Sequence, residues 1–230
     1  MSQSHLLQLD FPYRVIRSKR KSAAIHVRGG QVEVRIPNFV EDQWALEFLY
    51  SKRHWVKQKL SHQAHKAEQR PIIKHGASLL WQGQSKRIQL NDQVKGVQVL
   101  EKEIVIGAKD DNHAQAQLTE FFKQQAKVLM VKRTLEVAQL YGVSDQLQDV
   151  RLRRTKTKWG HCTSKGVIQY NWLILGAPLA VIDYLICHEV SHLIHPNHSQ
   201  RFWNTVKRYC PDYKTHQAWL KQNSHLISWC

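Results

Sequence analysis

The sequence predicts an α+β fold, a strand-rich N-terminal part followed by a helical C-terminal part. Three observations carry this. Ala24–Arg28 and Val32–Ile36 alternate apolar and polar residues around Gly29-Gly30, the pattern of a β-hairpin. Residues 72–106 hold short apolar pieces split by Gly76, Gly83, Asn91-Asp92 and Gly96, again strand-like. Residues 179–195 place apolar side chains at helical spacing. A chain of 230 residues makes one large domain or two small ones at about 150 residues each. A change near Lys109–Asn112 sets the expected division, residues 1–110 strand-rich with one helix and 111–230 largely helical.

After the hairpin, Pro37 ends the strand, and Asn38 with Glu41 resembles a capping box. The helix it opens is expected to run to about Gln69, stopped by Arg70-Pro71. Its apolar rows are Trp44, Phe48, Trp55 and Ala45, Leu49, Val56, Leu60, with Lys52, Arg53, Lys57 and Lys59 on the other face. A long helix is expected over residues 112–141, closed by Gly142. Phe121, Phe122, Val128, Leu129, Leu135 and Leu140 give it an apolar side. Val150–Lys158 and Val167–Leu173 read as strands. Helices are expected over 179–195, 199–209 and about 215–222.

Composition excludes several classes. The longest apolar run, Trp172–Ile182, is 11 residues with Gly176 and Pro178 inside it, too short to span a bilayer. The start MSQSHLLQLDF has neither the basic nor the apolar region of a secretory signal. Cys162, Cys187, Cys210 and Cys230 form no C-x-x-C pair, which argues against a thiolate zinc ribbon and, with no signal, for reduced thiols in the cytoplasm. Lys and Arg number 34 against 18 Asp and Glu, a formal charge of +16. That excess predicts attraction to polyanions and says nothing about fold.

The chemistry concentrates in residues 188–198, His-Glu-Val-Ser-His-Leu-Ile-His-Pro-Asn-His. On a helix, His188 and His192 leave the same face one turn apart, which suits two ligands of a tetrahedral zinc. Glu189 is rotated about 100° from His188 and about 60° from His192. It flanks the metal without binding it, placed to take a proton from a zinc-bound water. At this chain's own His and Glu frequencies, H-E-x-x-H arises by chance about 0.03 times in such a length, so the spacing is informative. His195 lies about 10 Å along the axis from His188, too far to share one metal with both histidines. Pro196 breaks the helix at that point, and the chain can then fold His198 back over the open position. No Glu follows Glu189, and Asp212 is the single later acid. His198 is therefore the leading third ligand, with Asp212 and His216 as alternatives.

Several blocks together resemble a known family. They are Trp159-Gly160-x-Cys162 followed by Gly166, Asn171 and Leu173; Asp183-Tyr184 leading into His188-Glu189-x-x-His192; Asn197-His198-Ser199 with Phe202-Trp203; and Pro211 with Trp219-Leu220. The chain resembles the YgjP-like metallopeptidases, within the SprT-like/WLM group of small zincins, and Tyr13–Arg28 is similar too. The resemblance implies a zincin-type catalytic part with an HExxH helix, Zn2+ on His188, His192 and His198, Glu189 as general base, and a protein or peptide substrate. His161 stands where that family usually has Ser, so contacts in the cleft at that position are expected to differ.

Ahead of this helix, residues 151–158 carry five cations and no acid. As a strand they place Arg154, Lys156 and Lys158 on one side. This reads either as a surface for a polyanion such as nucleic acid or a nucleotide, with Trp159 as a stacking platform, or as an edge strand guarded by charge. One of its arginines could instead pair with Asp183. His161, His195, Trp159 and Arg154 are the candidates for substrate or transition-state contacts, with Tyr209, Tyr213 and His216 further electrophile candidates. Cys187 is expected to be a buried thiol. The expected activity is metallopeptidase hydrolysis. The alternatives are a zinc-dependent phosphoanhydride hydrolase and a nucleic-acid-associated protease.

Overall fold

The computed structural model describes residues 8–155 and 157–229. Lys156 of the basic segment and Cys230 therefore lie outside the described residues. The chain divides into two units, Met1–Gln69 and Arg70–Cys230.

In the first unit, β1 (Tyr13–Ser18), β2 (Ala24–Arg28) and β3 (Gln31–Pro37) form a sheet of order β1-β3-β2. β2 and β3 are the expected hairpin, antiparallel with Val27 opposite Val32. Its turn requires Gly29 and Gly30, whose φ angles are +57° and +77°. β1 pairs parallel to β3 and was not expected, because Tyr13–Ser18 alternates weakly. The long helix is two, α1 (Asp42–Ser51) and α2 (Arg53–Glu68), broken at Lys52. Glu41 is the N-cap of α1 and its side chain makes no capping bond, so the Asn38–Glu41 capping box does not form. Of the two apolar rows, Ala45, Leu49 and Val56 are buried over Val32, Val34 and Ile36. Trp44 and Trp55 stay over 40% exposed, at 45% and 43%. Gln63 ties α2 to the hairpin, donating to the Val27 carbonyl at 2.7 Å and accepting from the Gly30 N–H at 3.1 Å.

In the second unit, β4 (Ser78–Trp81), β5 (Gln84–Leu90), β6 (Val97–Val99) and β7 (Glu103–Ile106) form a sheet of order β4-β5-β7-β6. Helix α3 (Asp111–Tyr141) comes next. Asp110 caps its first turn by accepting from the His113 N–H at 2.8 Å, and Gly142 ends it at φ +70°. β8 (Asp149–Arg153), β9 (Gly160–Cys162) and β10 (Val167–Asn171) make a second sheet of order β8-β10-β9. A 3-10 turn (Trp172–Gly176) leads to α4 (Leu179–Ile194), then α5 (Gln200–Tyr209) and α6 (Tyr213–Asn223).

The division falls at Gln69–Arg70, not near residue 110, because α3 serves two cores. Its first half, Ala114, Leu118, Phe122 and Ala126, packs on Leu79, Ile88, Ile104 and Ile106 of the β4–β7 sheet. Its second half, Met130, Ala138 and Tyr141, packs on β10 and α4 through Ile168, Tyr170, Ile182 and Ile186. The sheet of residues 78–106 thus shares α3 with the C-terminal helices. The buried stripe of α3 also differs from the expected one. It runs at i, i+4 and includes the small residues Ala114, Ala126, Thr134 and Ala138 beside Leu118, Phe122 and Met130, while Val128, Leu135 and Leu140 are 69%, 54% and 65% exposed. Small side chains allow neighbouring backbone to approach, and close packing rewards that more than bulk. Among the described residues no helix is long and apolar enough to cross a membrane.

Candidate metal centre

Helix α4 is held by an apolar stripe. Ile182, Ile186 and Val190 are at most 1% exposed. On its other side His188 and His192 stand one turn apart, their rings 5.1 Å centre to centre. His195 adopts φ −130°, ψ 105° before Pro196, so the helix ends there. Ser199 then caps α5, its Oγ accepting from the Phe202 N–H at 3.4 Å. The reversal carries His198 back to α4, with its Nε2 3.1 Å from Nε2 of His188.

One nitrogen from each of His188, His192 and His198 lies within 4.8 Å of the other two, the cluster among the described residues able to hold a metal ion. Asp212 and His216 are not in it. His216 is instead beside Tyr184, at 6.4 Å between rings. The donor set fits a cation. Burial, then the two neighbouring imidazoles, push His188 down to about 3, and burial lowers His192. Both rings are thus neutral near pH 7, with lone pairs free to coordinate. The His192 ring is oriented through Nδ1, 3.1 Å from the His195 carbonyl, which turns its Nε2 to the cluster. His188 Nδ1 is buried without a hydrogen-bond partner, so that side of the ring is held by packing. Phe202, fully buried, supplies the packing, with its centroid 5.0, 4.6 and 4.8 Å from His188, His192 and His198. Trp203 stacks on His198 at 5.7 Å and on Tyr213 at 5.2 Å.

Glu189 is 4% exposed and points toward β9. Burial pushes its carboxyl up to about 8, while Lys158 and the Cys162 backbone pull the other way. Gly160 is what lets the strand come this close. A Cβ there would lie 2.6 Å from both Cγ and Cδ of Glu189. His161, on the same strand, is exposed and close enough to His192 to disfavour its charged form.

The remaining sequence candidates are spread more widely. His195 contributes its carbonyl to His192, not its ring to the cluster. Trp159 is half-buried, packed against both cores of the second unit. The expected strand 150–158 stops at Arg153, so Arg154 and Lys158 lie in a loop. The edge position of β8 agrees with the charge-guarded reading. Arg154 lies in a groove with Lys123 and Lys127 of α3. Asp183 pairs with Arg133 of α3 at 3.3 Å, not with an arginine of the basic segment. Cys187 is 7% exposed with its thiol pushed up by burial, as expected. Sequence reasoning missed the contact of Gly160 with Glu189 and the role of Phe202. Both residues stand in the blocks that carry the family resemblance, which was the available signal.

Comparisons with known proteins bear on the same residues. No curated protein matches the chain. Among solved structures it is similar to the metallopeptidase zymogen of Pyrococcus abyssi abylysin, at 22% identity and a TM-score of 0.36, over 40% of this chain and 93% of that one. The family described as YgjP-like, metallopeptidase domain, matches residues 21–223. A match that takes in both units and every residue of the histidine cluster makes this chain a member of the YgjP-like metallopeptidase family.

Proposed function

We propose that this chain hydrolyses peptide bonds in protein or peptide substrates, with Zn2+ held by His188, His192 and His198 and with Glu189 moving the proton. The observation that supports it best is the convergence of three imidazoles, within 4.8 Å, one residue away from a carboxyl that is 4% exposed. Zinc in such a site supplies a Lewis acid, which polarises a carbonyl and acidifies a water. Three histidines and no thiolate leave room for a fourth, exchangeable position, as catalytic sites need and structural sites do not.

The chain's own groups divide the remaining work. Glu189 accepts a proton from the attacking water and returns it to the departing amine. Burial pushes its carboxyl up to about 8, and Lys158 and the Cys162 backbone offset part of that cost to the carboxylate form. Gly160 and α4 fix its position between them, so no reorganisation is needed at the moment of reaction. His161, exposed on β9 and near His192, donates to the oxygen on which charge develops.

The test is metal analysis together with release of new amino termini from an unfolded protein, on wild type and Glu189→Gln in parallel. The expected result is equal zinc content and loss of turnover in the variant. Full turnover by Glu189→Gln overturns the mechanism. Release of phosphate from nucleotides, without new amino termini, overturns the choice of bond.

A further inference from the structure

A groove of about 480 Å³ runs between α3 and the end of β8. Four cations line it, Lys123 and Lys127 from α3 with Arg153 and Arg154. No acidic residue lines it. Lys123 is partly engaged by Glu120, at 2.7 Å. Arg153 and Arg154 make no hydrogen bond or ion pair among the described residues, while Lys127 is near enough to Asp149 to help hold its carboxyl down. Neighbouring Arg151 does have a partner, Asp149 at 2.6 Å. Two arginines, consecutive in the chain and both lining the groove, offer guanidinium forks of the kind that bind carboxylates in bidentate fashion.

We propose that this groove is an exosite for an acidic segment of the polypeptide substrate, an inference that rests on the peptidase reading above. Charge complementarity picks the occupant, and the floor narrows it. Leu152 is apolar, and Trp172 is 2% exposed, so no ring is open for bases to stack on, which a single-stranded nucleic acid site requires. The groove is also joined to the metal centre by the chain itself. From Arg154, six residues lead to Gly160 against Glu189, a span of at most about 20 Å. An extended substrate whose acidic tract lies no more than about six residues from the bond to be cleaved can therefore reach both places. The exosite holds the tract while the bond lies beside Glu189, and it contributes binding without touching the reacting atoms.

The test reads binding, not turnover, so it stands or falls separately from the peptidase reading. Fluorescence anisotropy tracks a labelled deca-glutamate peptide, a deca-glutamine peptide and an oligothymidylate on the full-length chain. Arg153→Gln/Arg154→Gln is compared with Lys95→Gln/Lys102→Gln, a change of equal charge at exposed positions beside β6 and β7. The expected result is deca-glutamate binding weakened roughly tenfold by the arginine pair and no more than about two- to threefold by the lysine pair. Deca-glutamine is expected not to bind, and both variants to melt as wild type does. Equal loss in the two double variants overturns the exosite. So does oligothymidylate binding that is tighter than deca-glutamate and is lost with the same arginines, which makes the groove a nucleic acid site.

Discussion

Gly160→Ala is the substitution in which backbone and mechanism meet. The added Cβ would stand 2.6 Å from Cγ and Cδ of Glu189, whereas carbon atoms in good contact are about 3.5–4.0 Å apart. The two groups must therefore separate by about 1 Å. Glu189 cannot simply rotate into solvent, being 4% exposed on a helix whose stripe Ile182, Ile186 and Val190 is fully packed. Overpacking of this kind costs about 1–3 kcal/mol, or about 2–4 °C in melting temperature per kcal/mol for a unit of this size. The effect on turnover is larger, because a misplacement of about 1 Å at a reacting group costs about 100-fold. Zinc content stays at the wild-type level, since the three imidazoles come from α4 and the turn into α5, not from β9. The assay is release of amino termini from an unfolded protein, with a thermal melt and metal analysis on the same preparation. Gly160→Ala with wild-type turnover and an unchanged melt would refute the claim that Glu189 must be held where it is.

The same geometry sets three further outcomes. His198→Ala removes one of three ligands and is expected to weaken zinc affinity by more than the roughly 10–100-fold typical of losing an outer partner; competition with a chelating dye measures it, and unchanged affinity points to Asp212 or His216. Phe202→Ala empties a fully buried ring site beneath all three imidazoles. It is expected to cost about 3–5 kcal/mol by chemical denaturation and to lower zinc affinity as well, so a loss of stability alone would separate packing from metal binding. In the first unit, the Arg14 guanidinium and then that of Arg35 hold Glu33 down to about 2. Its contribution to stability is therefore present above the ordinary carboxylate range near 4.5 and is lost as pH falls toward 2. Amide exchange across β3 should be faster in Glu33→Gln than in wild type near neutral pH and converge with it in acid; a constant difference down to pH about 2 contradicts the pairing.

What the sequence made legible depended on how the signal was carried. Helix α4 was readable because its apolar stripe and its histidines occupy opposite faces, so periodicity and chemistry agreed. The fold-back of His198 was readable because Pro196 forbids continuation and Ser199 can cap the next helix. Strand β9 was not readable. It is three residues long, and its Gly160 is there for the close approach of Glu189, a need that leaves no alternation behind. The buried face of α3 was misread for a related reason. Ala114, Ala126, Thr134 and Ala138 are buried because they are small, and hydrophobic size drew attention to Val128, Leu135 and Leu140 instead. The division at residue 69 was marked by Arg70-Pro71, but the helix start near 110 looked like the stronger break. Only packing shows that α3 belongs with the sheet before it and the helices after it.

Zinc K-edge absorption on the purified chain tests the central claim most directly, because it reads the atoms around the metal. The predicted result is one zinc per chain with three imidazole nitrogens at about 2.0–2.1 Å and a light-atom ligand in the remaining position. With His198→Ala one imidazole should disappear from the spectrum. A sulfur ligand at about 2.3 Å, or three imidazoles still present in His198→Ala, would contradict it.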